Sequence, residues 1–223
     1  SVIIMAFNEV QSLEAVVQEI DSVLRRLENR YEIIIIDDGS SDGTETLAEQ
    51  LAEKLTDVRV IHHSENQGLG AVYRTGFAQA RNDFVTFFPA DGQFPATIIE
   101  QFVPLMDNTD MVLGYLAERP CSFLSKTFSK MEKLLYRLLF GSLPTFQGIL
   151  MFRRTLLDQI VLRSTGRGWA VLMELIIRAS RGKYRMVSVP TESRPRMSGK
   201  SKVNNIPTIL ANLRQMSTLV RYL

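Results

Sequence analysis

The residues able to do chemistry gather in three short stretches. The first is IIIIDDGSSDGT, from Ile33 to Thr44, where an isoleucine run ends in two adjacent carboxylates, Asp37 and Asp38. Neighbouring negative charges repel, so hydrogen-bond donors must offset them, and a ligand could supply these. The tail of the stretch, Ser41, Asp42, Gly43 and Thr44, reads as a capped helix start with a glycine turn. The second stretch is PADGQF. Asp91 and Gln93 stand two residues apart and offer oxygen ligands to a hard cation such as magnesium or manganese. A plain Pro-Ala-Asp-Gly turn is the alternative. The third is RPRMSGKSK, from Arg194 to Lys202, where freedom at Gly199 lets backbone N–H groups and cations surround an anion. A solvated surface loop is the alternative there. His62 and His63 follow a strand-like run with no Cys or third His beside them, which points to a structural role and away from zinc.

These groups need elements to carry them. VIIMAF, YEIIIID, VRVIHH, DFVTFF and MVLGY read as buried strands. Between them, apolar residues recur at helical spacing from Val10 to Leu27, in TETLAEQLAEKL, from Leu69 to Ala80, and in PATIIEQFVPLM, which Pro95 opens. Strand and helix alternating in this way predict an α/β fold with a mostly parallel central sheet flanked by helices. Ligands of such sheets sit outside the carboxyl ends of the strands. Asn8 and Glu9, Asp37 and Asp38, and Asp91 all fall at such ends. Beyond Gly114 the pattern changes to a long helix from about Ser122 to Phe140, a strand in GILMFRR, a helix in GWAVLMELIIRASRG, a strand in YRMVSVP and a last helix from about Ile206. The whole of 1–223 reads as one domain, with 1–115 a donor-binding half and 116–223 an acceptor half.

The chain has 223 residues, 26 basic and 24 acidic, for a formal net charge of +2. That balance does not suggest nucleic-acid binding. Acidic residues weight the first half and basic ones the second, which suits an anionic ligand held near the basic side. The single cysteine, Cys121, allows no internal disulfide. No run reaches the ~18 apolar residues of a membrane span, and no signal peptide is visible. Because the first residue already lies in a strand-like run, the chain is expected to be a segment of a longer protein.

Taken in order, MAFNE, DDGSSDGT, NQGLGAVYRTGFAQARNDFVTFFPADGQF, FQGILMFRR, GWAVLMELIIRASRG and SRPRMSGKSK resemble the motifs of family 2 glycosyltransferases. The match covers nearly the whole chain and is nearest the branch of polyprenyl-phosphate and dolichyl-phosphate mannose and glucose synthases. The resemblance implies a GT-A fold and an inverting transfer from a nucleotide-diphosphate sugar. It places Phe7 and Glu9 beside the nucleotide, Asp37 and Asp38 on its base and ribose, and Gln147 with Gly148 along the sugar pocket. Arg194, Arg196, Lys200, Ser201 and Lys202 match the loop that closes on donor phosphates. Asp91 and Gln93 keep two places of a metal motif for Mg2+ or Mn2+, but Pro89 stands where a first acid is expected. Leu116 and Ser125 replace arginines of the acceptor region, where Arg119, Lys126 and Ser129 would meet the acceptor's phosphate.

The expected activity is a hexosyltransferase that loads a polyprenyl phosphate at the cytoplasmic face of a membrane. The basic amphipathic helix near 122–140 could lie on that surface or pack inward on the core. A hydroxyl acceptor would need a carboxylate base, for which Glu174 is the choice. A transferase to a soluble glycan or small molecule, and a non-catalytic nucleotide-sugar-binding domain, are the competing readings.

Overall fold

The computed structural model describes residues 1–27, 30–116 and 143–197. Five strands of the N-terminal part, β1 (Val2–Ala6), β2 (Ile33–Asp37), β3 (Val58–His62), β4 (Phe84–Pro89) and β5 (Met111–Leu116), join β6 (Leu150–Arg153) and β7 (Met186–Thr191) in one sheet of order β3-β2-β1-β4-β6-β5-β7. β1 pairs in parallel with β2 and β4, β2 with β3, and β5 with β7. Among the described strands β6 alone runs antiparallel, between β4 and β5. The strands buried on both faces read as uninterrupted β-branched runs: Ile33, Ile34, Ile35 and Ile36 are each fully buried.

The helices form where the apolar spacing predicts. They are α1 (Leu13–Arg26), α2 (Thr44–Lys54), α3 (Leu69–Gln79), α4 (Thr97–Phe102), α5 (Thr155–Gln159) and α6 (Ala170–Arg181). The short α5 was not foreseen. The helix expected throughout PATIIEQFVPLM instead tightens into a 3-10 turn over Val103–Asp107. Pro104 explains the change, because it has no N–H to donate to the preceding turn. The helix expected near 122–140 and the last helix lie outside the described residues.

α3 and α6 pack on the same side, joined by the loop at 163–169. Gly70 N donates to Arg167 O at 2.8 Å. Arg74 Nη1 donates to Ser164 O and Gly166 O, each at 3.3 Å. A residue late in the sequence is thereby fastened to the first turn of a helix that follows β3. The approach leaves no room for a side chain at Gly70, since a Cβ there would lie 2.0 Å from Gly166 O. We therefore expect Gly70→Ala to displace this loop and cost about 1–3 kcal/mol, as overpacking typically does, read as a lower thermal midpoint. An unchanged midpoint would show that the loop yields freely.

Candidate active site at the carboxyl edge of the sheet

The segment after β1 turns on Asn8, whose φ of 52 is left-handed, a conformation Asn tolerates better than most residues. Asn8 N donates to Ser40 Oγ at 2.8 Å, and Asn8 Oδ1 accepts from Ser41 N at 2.8 Å. Glu9 N donates to Thr44 Oγ1 at 2.9 Å and Val10 N to Asp42 Oδ2 at 3.2 Å. These four bonds stitch the loop after β1 to the loop after β2. Asp42 also accepts from Thr44 N, at the start of α2, at 3.1 Å. Burial alone would raise its pKa, but the donors from Thr44 and Val10 outweigh that and hold it below the usual carboxylate value.

Asp37 and Asp38 are 1% and 3% exposed. The expectation that they crowd each other and need a ligand's donors is corrected by the geometry. Successive side chains of a strand project to opposite faces, and each acid finds protein donors on its own side. Asp37 accepts from Ser40 N at 3.2 Å and lies 3.2 Å from His62 Nδ1. Asp38 lies 2.7 Å from His63 Nδ1 and accepts from Gln67 N at 3.0 Å and Gly68 N at 2.8 Å. His62 reaches on to Glu49 of α2 at 2.7 Å, and His63 to Thr75 of α3 at 2.9 Å. The partners of the two histidines are the two acids. Protein donors take two acceptor positions at Asp37 and three at Asp38, of roughly four that a carboxylate has. Both keep capacity for a further donor.

Asp91 follows β4 and is 7% exposed. Its Oδ1 accepts from Gln93 N at 3.0 Å, closing a tight turn. Its Oδ2 lies 3.5 Å from Arg196 Nη1, while Arg196 Nη2 lies 2.7 Å from Glu9 Oε1. Arg194 donates through Nε to Gly92 O at 2.7 Å and pairs with Glu19 of α1. Gln147 N donates to Gly114 O at 2.8 Å, and Gly148 packs on the ring of Phe94. Phe7 is half-buried between Ala6 and Asn8. The structure thus brings Phe7, Glu9, Asp37, Asp38, Asp91, Gln93, Gln147, Arg194 and Arg196 to the carboxyl-end loops of the sheet. Arg119, Lys126, Ser129, Lys200, Ser201 and Lys202 lie outside the described residues.

Glu174 is placed elsewhere. It is fully buried in α6. Its oxygens accept from Arg163 N at 3.0 and 3.1 Å, Ser164 N at 2.8 Å and Arg178 Nε at 2.8 Å. Burial would raise its pKa, yet the hydrogen bonds from Ser164, Arg178 and the Arg163 amide prevail and lower it. A carboxylate held ionised by donors inside a helix interface is a poor base, so that expected role is withdrawn; Glu174 anchors the 163–164 loop. Sequence reasoning also missed Arg167, whose Nη2 donates to Asn66 O and Oδ1, each at 2.7 Å. The glycines around it in STGRGW were the available signal of a close approach.

Among the described residues no group of three or more His, Cys, Asp or Glu gathers that could hold a metal. One carboxylate and one amide do suit a cation that arrives with phosphate oxygens, since Mg2+ is commonly bound by one or two carboxylates plus substrate phosphates. Among the described residues no helix is long and apolar enough to cross a membrane.

A model of glycosyl transferase family 2 matches residues 1–161. The chain is 30% identical, over its whole length, to a dolichol-phosphate mannosyltransferase of Pyrococcus furiosus, of which it spans 64%. It is 28% identical over 165 residues, 72% of its own length, to an undecaprenyl-phosphate 4-deoxy-4-formamido-L-arabinose transferase of Pseudomonas savastanoi, of which it spans 49%. The chain is thus shorter than these curated relatives, spanning less than two-thirds of each. Among solved structures, mannosyl-3-phosphoglycerate synthase from Rubrobacter xylanophilus superposes over 99% of this chain and 73% of its own, with a TM-score of 0.73 at 16% identity. Glucosyl-3-phosphoglycerate synthase from Mycobacterium tuberculosis, solved with Mn2+, uridine diphosphate and phosphoglyceric acid, superposes over 96% of this chain and 77% of its own, with a TM-score of 0.68 at 18% identity. The fold is GT-A, a mixed α/β sheet flanked by helices.

Two outcomes follow from the site's electrostatics. Removing the Glu174 carboxylate leaves Arg178 and two buried amides without their acceptor, so Glu174→Ala should cost about 3–5 kcal/mol. For a chain of this size that is roughly a 10 °C fall in thermal midpoint, and a fall of only a degree or two would rule out the anchoring role. His62 is partly desolvated, which lowers its pKa, but Glu49 and Asp37 prevail and raise it above 6.5. A raised histidine stabilises the fold fully below its unfolded value and loses that contribution as pH climbs through the folded value. Thermal midpoints of the protein should therefore fall on going from about pH 6 to about pH 8, and His62→Gln should flatten that slope. Parallel slopes in the two proteins would contradict the assignment.

Proposed function

The chain belongs to glycosyl transferase family 2, and from that premise we propose that it moves a hexosyl group, with inversion, from a nucleotide-diphosphate sugar to a polyprenyl phosphate. The observation that carries this reading is the meeting of Glu9, Asp91 and Arg196 at the carboxyl edge of β1 and β4, next to the end of β2 where Asp37 and Asp38 stand, an edge at which α/β sheets bind ligands. Asp37 and Asp38 accept from N–H and O–H groups of a nucleoside with the capacity their protein donors leave. Gln147 and Gly148 line the sugar's part of the site in this reading, with Gly148 packed on the Phe94 ring. Asp91 and Gln93 hold Mg2+ or Mn2+ together with the diphosphate. When bound, the cation neutralises charge on the departing nucleoside diphosphate, and Arg196 adds a guanidinium to the same end of the site.

The place of Glu174 supports a particular acceptor class. A hydroxyl must lose a proton to attack well, and needs a base within reach. A phosphate monoester has a second pKa near about 6 and is already ionised near neutral pH. With Glu174 spent inside α6 and Glu9 and Asp91 facing Arg196, an acceptor that brings its own charge fits best. The relatives named for dolichol phosphate and undecaprenyl phosphate support the same class. Such an acceptor is a lipid, so the reading includes work at the cytoplasmic face of a membrane. Arg119, Lys126 and Ser129 are its proposed phosphate contacts, and Lys200, Ser201 and Lys202 the donor-phosphate contacts. Residues 1–115 supply most of the donor site and 116–223 the acceptor site, with the loop from Arg194 to Lys202 reaching back to the donor phosphates.

The test is transfer of label from UDP-glucose or GDP-mannose to polyprenyl phosphate in vesicles, with Mn2+ or Mg2+ present. Label should enter the organic phase. Asp91→Ala should reduce turnover by about 100-fold or more, the scale of losing one electrostatic stabiliser, and Pro89→Asp should lower the Mn2+ concentration that half-saturates the rate. Label found only in water-soluble product assigns a soluble acceptor instead. Nucleotide-sugar binding without transfer or hydrolysis assigns a non-catalytic domain, the reading that Pro89 favours.

A further inference from the structure

The turn between β3 and α3 is gripped from three directions. Gly39, at φ +71, lets it lie on the backbone just after β2, since a Cβ there would sit 2.7 Å from Asn66 N. On the inner side Asp38 accepts from Gln67 N at 3.0 Å and Gly68 N at 2.8 Å. On the outer side Arg167 Nη2 donates to Asn66 O and Asn66 Oδ1, each at 2.7 Å. Arg167 O also accepts from Gly70 N at 2.8 Å. Arg167 lies 101 residues beyond Asn66 in the chain, on a loop that is itself held from both sides. Glu174 takes the amides of Arg163 and Ser164, and Arg74 donates to the carbonyls of Ser164 and Gly166.

The fold itself has little need of the Arg167 side chain. It is exposed, its partner is a neutral asparagine, and water competes for every group in the contact. What the contact governs is where the turn stands. The two amides that meet Asp38 follow Asn66 directly, so a turn that lifts at Asn66 takes Gln67 N and Gly68 N with it. His63 and these two amides occupy three of the roughly four acceptor positions of Asp38. With three fixed, the direction of the fourth is fixed too. With the amides gone, a carboxylate only 3% exposed turns towards other donors and that direction is lost. A site that is competent only part of the time binds its ligand less tightly in proportion. We propose, resting on the donor site assigned above, that Arg167 is a positioning residue for the donor: by holding the 66–68 turn against Asp38 it fixes the acceptor position that Asp38 offers the nucleoside, without itself touching the ligand. Donor affinity is thereby tied to the loop before α6, far along the chain from the acid that it serves.

The test is calorimetric binding of UDP and of GDP with Mn2+ present, together with hydrogen exchange of the backbone amides at 66–68. It is run on the wild type, Arg167→Ala, Arg167→Lys, Asn66→Ala and the double variant Arg167→Ala with Asn66→Ala. Arg167→Ala should weaken whichever nucleotide the wild type binds by about tenfold, the scale of a lost bond from a charged donor, and the amides of Gln67 and Gly68 should exchange about tenfold faster. Arg167→Lys keeps a donor for Asn66 and should recover most of both. Asn66→Ala removes one of the two acceptors and should weaken binding by about threefold. The double variant should lose little more than Arg167→Ala, because both changes open one latch. Unchanged nucleotide affinity in Arg167→Ala would overturn the proposal. So would losses that add in full in the double variant, which would put Arg167 on the ligand itself. If Arg167→Ala does not fold, Asn66→Ala decides, and unchanged affinity there overturns the proposal. In each of these cases the donor site stands. If neither UDP nor GDP binds to the wild type with Mn2+, the donor site falls and this inference with it.

Discussion

A carboxylate at the end of a buried strand has to be met by donors, and much of this site is arranged to meet them. Desolvating an ionised acid without hydrogen bonds is prohibitive. Asp37, Asp38, Glu9 and Asp91 are each less than a tenth exposed, so each draws a piece of chain towards it. Asp37 draws the 39–40 turn and β3 through His62; Asp38 draws His63 and the amides of Gln67 and Gly68, fixing how α3 begins. Glu9 and Asp91 draw the segment after β7 through Arg196. The loops that would surround a ligand are thus set by the same groups that would bind it. Mutating one of these acids changes loop geometry as well as contact chemistry, and a loss of binding alone cannot separate the two.

The pairing of acids with histidines shows where reading the chain went well and where it stopped. β1, β2 and β4 were legible because a strand covered on both faces is nearly all apolar, and VIIMA, IIIID up to its closing Asp37 and FVTFFP apart from Thr86 are. The placement of Asp37, Asp38 and Asp91 at strand ends was legible for the same reason. What was not legible was the partner of each acid. A lone sequence gives period along a strand but no register between strands, and it is the register Asp37↔His62 that sets an acid of one strand beside a histidine of the next. Without it, two adjacent carboxylates look like a shared charge problem; with it, they are two separate problems on opposite faces. Glu174 failed for a related reason. Its helical face was readable, but the loop at 163–164 that folds back onto it is ten residues away, and nothing local marks those amides as its donors.

The same long-range contacts tie the two parts of the chain together. Arg167 reaches Asn66 and its carbonyl receives Gly70 N, while Arg196 reaches Glu9 and Asp91. Residues from the C-terminal part therefore complete the loops of the N-terminal part on two sides of the sheet edge. A change at either end is transmitted by hydrogen-bonded backbone and by ion pairs rather than through the apolar core.

Pro89 is where fold and chemistry can be told apart. A proline in a central strand normally removes a ladder bond. Here β4 pairs with β6 only over Phe84, Val85 and Thr86, so by position 89 that neighbour has ended. On the other side Met5 is opposite Pro89, and the bond to Met5 O comes from Ala90 N at 3.0 Å. Alternate N–H groups of a strand point to opposite neighbours, so the one that Pro89 lacks would have faced the side where β6 is already gone. The sheet loses nothing by the substitution. The Asp91 turn is also intact, with Gln93 N on Asp91 Oδ1 and Arg196 on Oδ2. Proline at this position therefore leaves the architecture of the sheet edge and of the Asp91 turn alone. The Asp91 carboxylate keeps its place in the turn, with Arg196 at 3.5 Å from its Oδ2.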